Sequence, residues 1–197
     1  MTIQQPSDRE LVAALRRGDP RAVDAVFARE HGRILSYLTR MAGRRDLAED
    51  LLQETFLRLV KHAQRLTEDT QLEHWLLTVA RNLCRSQFRS GAVERARNSQ
   101  LARLPPQPSA SAQDSLEHKE QWLRLEAALQ MLSFEHREVL ILLVVEALPQ
   151  ASVAVLLGLS HDALRQRFSR AKKQLAQQLD KTAAGGSHSA KVVRDAG

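Results

Sequence analysis

Cysteine and aromatic residues are scarce in this 197-residue chain. The single cysteine, Cys84, excludes an internal disulfide and a cysteine-based zinc site. It stands at helical spacing from Ala80 and Phe88, so a buried thiol is expected. Aromatics make up 4% of the residues, which leaves Leu, Val and Ala to build any core. Glycine is also sparse, at eight residues, and these shortages together favour helices over strands. The longest apolar run, Val139 to Val145, is seven residues, far below the roughly 18 that suggest a membrane span. It reads as a buried helix. Met1 to Pro6 is polar and no apolar core follows, so neither an export signal nor membrane insertion is expected, and the chain is expected in the cytoplasm. No glycine-rich phosphate loop occurs, and none of the seven histidines pairs with another at i, i+4. No catalytic constellation, metal site or cofactor is therefore expected.

What the chain does have is positive charge and Leu-rich helical periodicity. A net charge of +6 and a pI near 10.1 suggest a polyanionic partner. Ser7 with Glu10 forms a capping box for a short first helix that Gly18 ends. Asp19-Pro20 pairs a capping residue with proline at the first helical position and starts a second helix to about Gly43. A third is expected from Asp46 to about Leu66, with Asp46 and Glu49 as a capping-box-like pair. A fourth begins at Thr70 with Glu73. Together these make one helical module to about residue 90. Leu104 to Gln113 then holds three of the six prolines and no charge, the composition of an extended linker reaching about 35 Å. Beyond it, Glu117 to Leu132, Phe134 to Leu148, Gln150 to Leu157 and His161 to about Asp180 read as helices, and the tail from Thr182 reads as disordered. The expected fold is all-α: two small helical domains over 1–90 and 116–181, a flexible Pro-rich linker over 91–115, and a tail over 182–197.

Three strings carry function. In the Asp46 helix, Leu47, Leu51, Leu52, Phe56, Leu59 and Val60 recur at three- and four-residue spacing as one apolar face. Off that face, Asp46, Glu49, Asp50 and Glu54 place four acids in nine residues of a basic protein, with Gln53 among them. In the second module, Ala154 stands four residues before Gly158, with apolar neighbours and Ser160 following. That is the pattern of a helix-turn-helix. Leu164 and Phe168 would bury its second helix, leaving Arg165, Gln166, Arg167, Arg170, Lys172 and Lys173 on other faces. These supply long cations for phosphates and forked side chains for base edges. Asp114 to Glu146 holds seven acids and three bases, whereas His161 to Lys181 holds six bases and two acids, a polarity that fits one DNA-facing end. The third string runs from His74 to Arg85. Arg81, Arg85 and Arg89 open a 23-residue stretch with six arginines and one acid, so Arg81 and Arg85 are expected to bind phosphate backbone, and Asn82 offers an amide to an unstacked base. Trp75, at core spacing, is expected to pack rather than to stack on a base.

The Asp46 string closely resembles the polymerase-binding helix of bacterial sigma factors of the extracytoplasmic-function (ECF) group. The strings Arg137 to Leu140 and Gly158 to Leu175 resemble the upstream-reading module of the same family. The His74 string resembles the segment that melts and reads the minus-ten element. The resemblance implies core RNA polymerase and promoter DNA as partners, an anti-sigma factor as a further one, and no enzymatic activity. By the same resemblance, Asp50, Gln53 and Glu54 contact polymerase, with Phe56 as a packing residue. Ala151 and Ser152 stand where the family usually has acidic residues, and Ala163 where it has a small hydroxyl. These departures leave fewer phosphate contacts for the upstream element. The competing reading is a stand-alone helix-turn-helix regulator that binds duplex DNA as a dimer, for which the acidic Asp46 face has no use. A nucleic-acid-modifying enzyme with a helical accessory domain lacks the site chemistry.

Overall fold

The computed structural model describes the backbone of residues 6–91 and 116–194, and the side chains of 6–91 and 121–181. The described residues are helical with no strand. The chain divides into two compact units, Met1–Leu104 and Pro105–Gly197. The proline-rich linker expected over 91–115 lies outside the described residues, apart from Gly91.

Unit 1 holds α1 (Asp8–Arg16), α2 (Pro20–Ala42), α3 (Arg45–His62), a 3-10 turn (Ala63–Arg65) and α4 (Leu72–Arg89). The Ser7 capping box forms in both directions: Glu10 N–H donates to Ser7 Oγ, and Ser7 N–H donates to Glu10 Oε2 at 2.8 Å. Asp19 caps α2 by accepting from Arg21 N–H at 3.0 Å, with Pro20 at the first position. One stripe of α2 is buried: Ala22, Val26, Ile34, Tyr37, Leu38, Met41 and Ala42, with Glu30 in the same row. It packs on Ala48, Leu51, Leu52, Phe56 and Leu59 of α3, and α4 closes the core with Leu72, Leu76, Leu77, Ala80 and the buried Cys84. Each fully buried leucine contributes about 1.5–3 kcal/mol.

Three expectations in this unit fail. Arg44, not Asp46, takes the N-cap position of α3. Asp46 lies in the first turn, where the Arg44 guanidinium pairs with it and, as the main cause, holds its carboxyl below the usual range. Val60 is 52% exposed, because it lies past the edge of the stripe defined by Phe56 and Leu59. Thr70 does not cap α4 either. The N-cap is Gln71, without a side-chain bond, and Thr70 instead closes a turn with Thr67, whose N–H donates to Thr70 Oγ1 at 3.0 Å.

Unit 2 holds α5 (Leu116–Gln130), α6 (Phe134–Leu140), a π-helical turn (Ile141–Val145), α7 (Gln150–Leu157) and α8 (His161–Arg194). Its core is Ala128, Leu129, Leu132, Val139 to Leu142, Leu148, Val153, Ala154, Leu157, Leu164 and Ala171. The helix expected over Phe134 to Leu148 is shorter. It widens into the π turn, and Ala147 then takes a φ of 50°. The apolar run is correspondingly split: Val139 to Leu142 are buried, but Val144 is 62% exposed. Trp122 of α5 is 38% exposed. The last helix does not stop near Asp180, and the tail expected as disordered is helical to Arg194. No proline interrupts it, and Lys181, Ala183, Ala184 and Ala190 favour helix enough to carry the backbone past Gly185-Gly186.

Candidate polymerase and nucleic-acid interfaces

The outer face of α3 is built by register. Leu51, Leu52, Thr55, Phe56 and Leu59 point inward, so Asp50 and Gln53 are exposed and Glu54 is half-buried at the rim. Glu54 accepts from Arg58 Nε at 2.9 Å, one helical turn away, and this bond is the main reason its carboxyl sits below the usual range. Glu49 is paired in the same way with Arg45 at 2.8 Å. Asp50 and Gln53 thus stand between two internally paired acids. Leu57 and Val60, each 52% exposed, continue the same face toward the C-terminal end. Phe56 packs edge-on against Phe27 at 4.9 Å between ring centroids, as its packing assignment requires.

On α4, Asn82 and Arg89 are exposed and Arg85 is half-buried. Arg81 departs from expectation. It is 7% exposed, in the inward row with Leu77 and Cys84, and its Nη1 lies 3.4 Å from Asn82 Oδ1. A cation in that row is not a surface phosphate ligand. The density of arginines suggested otherwise, but helical register decides. Trp75 is half-buried among the packing residues of α4.

In unit 2 the small Ala154 is 4% exposed where α7 and α8 cross, and Gly158 takes the left-handed conformation at φ 65° that ends α7. Ser160 Oγ accepts from Ala163 N–H at 3.2 Å and starts α8, and Leu164 and Ala171 bury its inner face. Arg165, Gln166, Arg170, Lys172 and Lys173 are exposed, whereas Arg167 is half-buried. The Lys172 ammonium lies 4.7 Å above the Phe168 ring. Val155, on α7, is 84% exposed.

Among the described residues, no group of three or more metal-capable side chains converges, and no helix is long and apolar enough to cross a membrane.

An all-helical pair of units, one with an acidic helix face and one with a basic helix-turn-helix, is the plan of a sigma-type initiation factor, and the comparisons agree. The family model described as Sigma-70 region 2 matches residues 26–93, and that described as Sigma-70, region 4 matches residues 122–175. The chain is 33% identical over 164 residues to the RNA polymerase sigma factor CarQ of Myxococcus xanthus, covering 83% of this chain and 92% of that protein. It is 32% identical over 146 residues to the ECF RNA polymerase sigma factor EcfG of Rhodopseudomonas palustris, covering 73% and 77%. Among solved structures, CnrH in complex with the cytosolic domain of CnrY aligns with a TM-score of 0.65 at 25% identity, covering 88% of this chain and 97% of that one. The chain belongs to the extracytoplasmic-function sigma factors, which bind RNA polymerase and direct promoter recognition.

Proposed function

We propose that α3 docks on core RNA polymerase through Asp50, Gln53 and Glu54. In this reading Asn82 and Arg85 of α4 engage the minus-ten element, and Arg165, Gln166, Arg167, Arg170 and Lys173 of α8 engage the minus-thirty-five element. Residues 1–90 act as the docking and melting domain and 116–181 as the upstream-reading domain, with 91–115 as a linker between them. The chain works in the cytoplasm without catalysis of its own. Base capture offsets the cost of unstacking, so no nucleotide hydrolysis is required. A regulatory protein that masks these faces is a further partner. CnrH is held by the cytosolic domain of another protein, and an anti-sigma factor would serve that purpose here.

The observation that carries the docking assignment is the solvent-facing pair Asp50 and Gln53 on a helix whose opposite face is fully engaged in the core. Substituting Asp50→Arg together with Glu54→Arg leaves that core untouched. Helix content is expected to stay at the parent level while affinity for purified core polymerase falls at least tenfold, about 1.4 kcal/mol. Equal retention of parent and variant on immobilised core enzyme rejects the assignment. Transcription from a genomic promoter pool, with and without the chain, tests the function as a whole.

A further inference from the structure

Helix α1 lies outside the region-2 match, which begins at residue 26. Its N-terminal end nevertheless reaches two places on the segment that leads into α4. Asp8 Oδ2 accepts from the Leu72 backbone N–H at 2.9 Å, across 64 residues of sequence. Leu72 is the first residue of α4, and that helix has no side-chain cap from its own N-cap residue, Gln71. The Asp8 carboxylate therefore supplies both an acceptor for an otherwise orphaned N–H and a negative charge at the positive end of the helix dipole. The neighbouring Arg9 Nη2 lies 2.6 Å from Glu68 Oε2, in the turn that Thr67 and Thr70 close.

The strap is itself anchored. Asp8 Oδ1 accepts from Arg29 Nη2 at 2.5 Å, and Arg29 Nε donates to the buried Glu30 at 2.8 Å. Leu11, Val12 and Leu15 fix α1 in the core of unit 1. A rigid chain of contacts thus runs from α2 through Asp8 to the start of α4. The Arg33 ion pair with Glu73 makes a second link from α2 to the same helical turn.

We propose that Asp8 is a positioning residue for minus-ten recognition: it sets the start of α4 and, with Arg9, the pose of the Leu66–Gln71 turn that leads into it. This inference rests on the assignment of α4 to the minus-ten element. Asp8 does not touch DNA in it. The partners of Asp8 and Arg9 named above lie on α2, at the start of α4 and in the turn before it, not on the α3 face assigned to polymerase, so the strap is expected to affect base discrimination and not polymerase docking.

The test uses the full chain, core polymerase and a promoter library randomised across the minus-ten element. Asp8→Asn keeps the shape but loses the charge, and Asp8→Ala loses the cap. Discrimination is read as the ratio of initiation rates on the preferred and singly substituted elements. We expect that ratio to narrow about threefold in Asp8→Asn and about tenfold in Asp8→Ala, with core affinity within twofold of the parent. Parent-like discrimination in both variants overturns the proposal, as does a loss of core affinity in parallel with discrimination, which would mark a purely structural role. Far-UV circular dichroism reports folding, and if Asp8→Ala does not fold, Asp8→Asn decides by the same criteria. If the parent itself shows no minus-ten dependence, the assignment of α4 falls first, and the positioning role falls with it.

Discussion

Arg137 is 1% exposed and makes at least four hydrogen bonds inside unit 2. Nε donates to the Leu129 carbonyl at 3.0 Å, Nη2 to the Gln130 and Leu132 carbonyls at 2.9 and 3.2 Å, and Nη1 to Gln130 Oε1 at 2.6 Å. The Leu129 and Gln130 carbonyls belong to the last turn of α5, past the reach of its regular N–H ladder, although the Leu129 carbonyl also accepts from the Leu132 N–H at 3.1 Å. A guanidinium there also faces the negative end of the helix dipole. Arg137→Met keeps much of the volume and removes every donor. A hydrogen bond to a charged group contributes about 1.5–3 kcal/mol, and an unsatisfied buried carbonyl costs about 1–3 kcal/mol. Water reaches the half-buried Gln130 and the Leu129 carbonyl keeps the Leu132 N–H, so their shares are small, whereas the carbonyl of the buried Leu132 carries the larger penalty. The expected loss is about 3–5 kcal/mol, from the charge-assisted hydrogen bonds removed and the buried Leu132 carbonyl they served. A small domain holds only about 5 kcal/mol or little more, so the substitution brings unit 2 to the edge of unfolding. Arg137→Lys keeps the charge, but one ammonium does not fork to four acceptors, and about 2 kcal/mol is expected.

The two tryptophans make the assay selective. Trp75 lies in unit 1 and Trp122 in unit 2. In a Trp75→Phe background, urea unfolding followed by tryptophan fluorescence reads unit 2 alone. A shift below 1 kcal/mol for Arg137→Met would refute the reasoning, since it would mean that the α5 carbonyls do not need the guanidinium. Polymerase docking through α3 is expected to survive the same substitution.

Two backbone substitutions should move the unit 2 midpoint in opposite directions. Ala147 holds a left-handed φ of 50°, so Ala147→Gly is expected to stabilise by about 1 kcal/mol, whereas Gly158→Ala is expected to cost about 1–2 kcal/mol from backbone strain alone, because its added Cβ would meet nothing within 4 Å. In duplex binding, Arg165→Ala should cost about 1–3 kcal/mol on the cognate upstream element and relax preference at one position, as footprinting and competition would show. Lys173→Ala should weaken all sequences alike and flatten the salt slope by about one unit; equal effects of the two on preference would reject the division of roles.

The elements legible in the sequence are those whose determinants are local. Ser7 and Glu10 stand three residues apart and form their box, Asp19-Pro20 starts α2, and Gly158 ends α7. The core stripes follow from spacing, and Leu164, Ala154 and Cys84 are buried as their positions require. The candidate α3 face was legible for the same reason: the inward row fixes the outward one. Arg81 and Arg137 were not legible, because charged side chains are almost never fully buried unless they are paired. Composition counts a cation as surface, and only the partners found in three dimensions say otherwise.

The caps show the same limit from the other side. Thr70 with Glu73 offers α4 a local capping box, yet the structure uses Thr70 for the turn before the helix and takes the cap from Asp8. A capping box would satisfy two backbone N–H groups, and the Asp8 cap satisfies one. The tertiary one also ties the turn and the helix to α1 and, through Arg29, to α2. A local cap would stabilise α4 without fixing where its first turn sits relative to the rest of unit 1. For a helix assigned to read bases, where that turn sits matters more than the stability of one cap, and a contact spanning 64 residues is what a local sequence pattern cannot display.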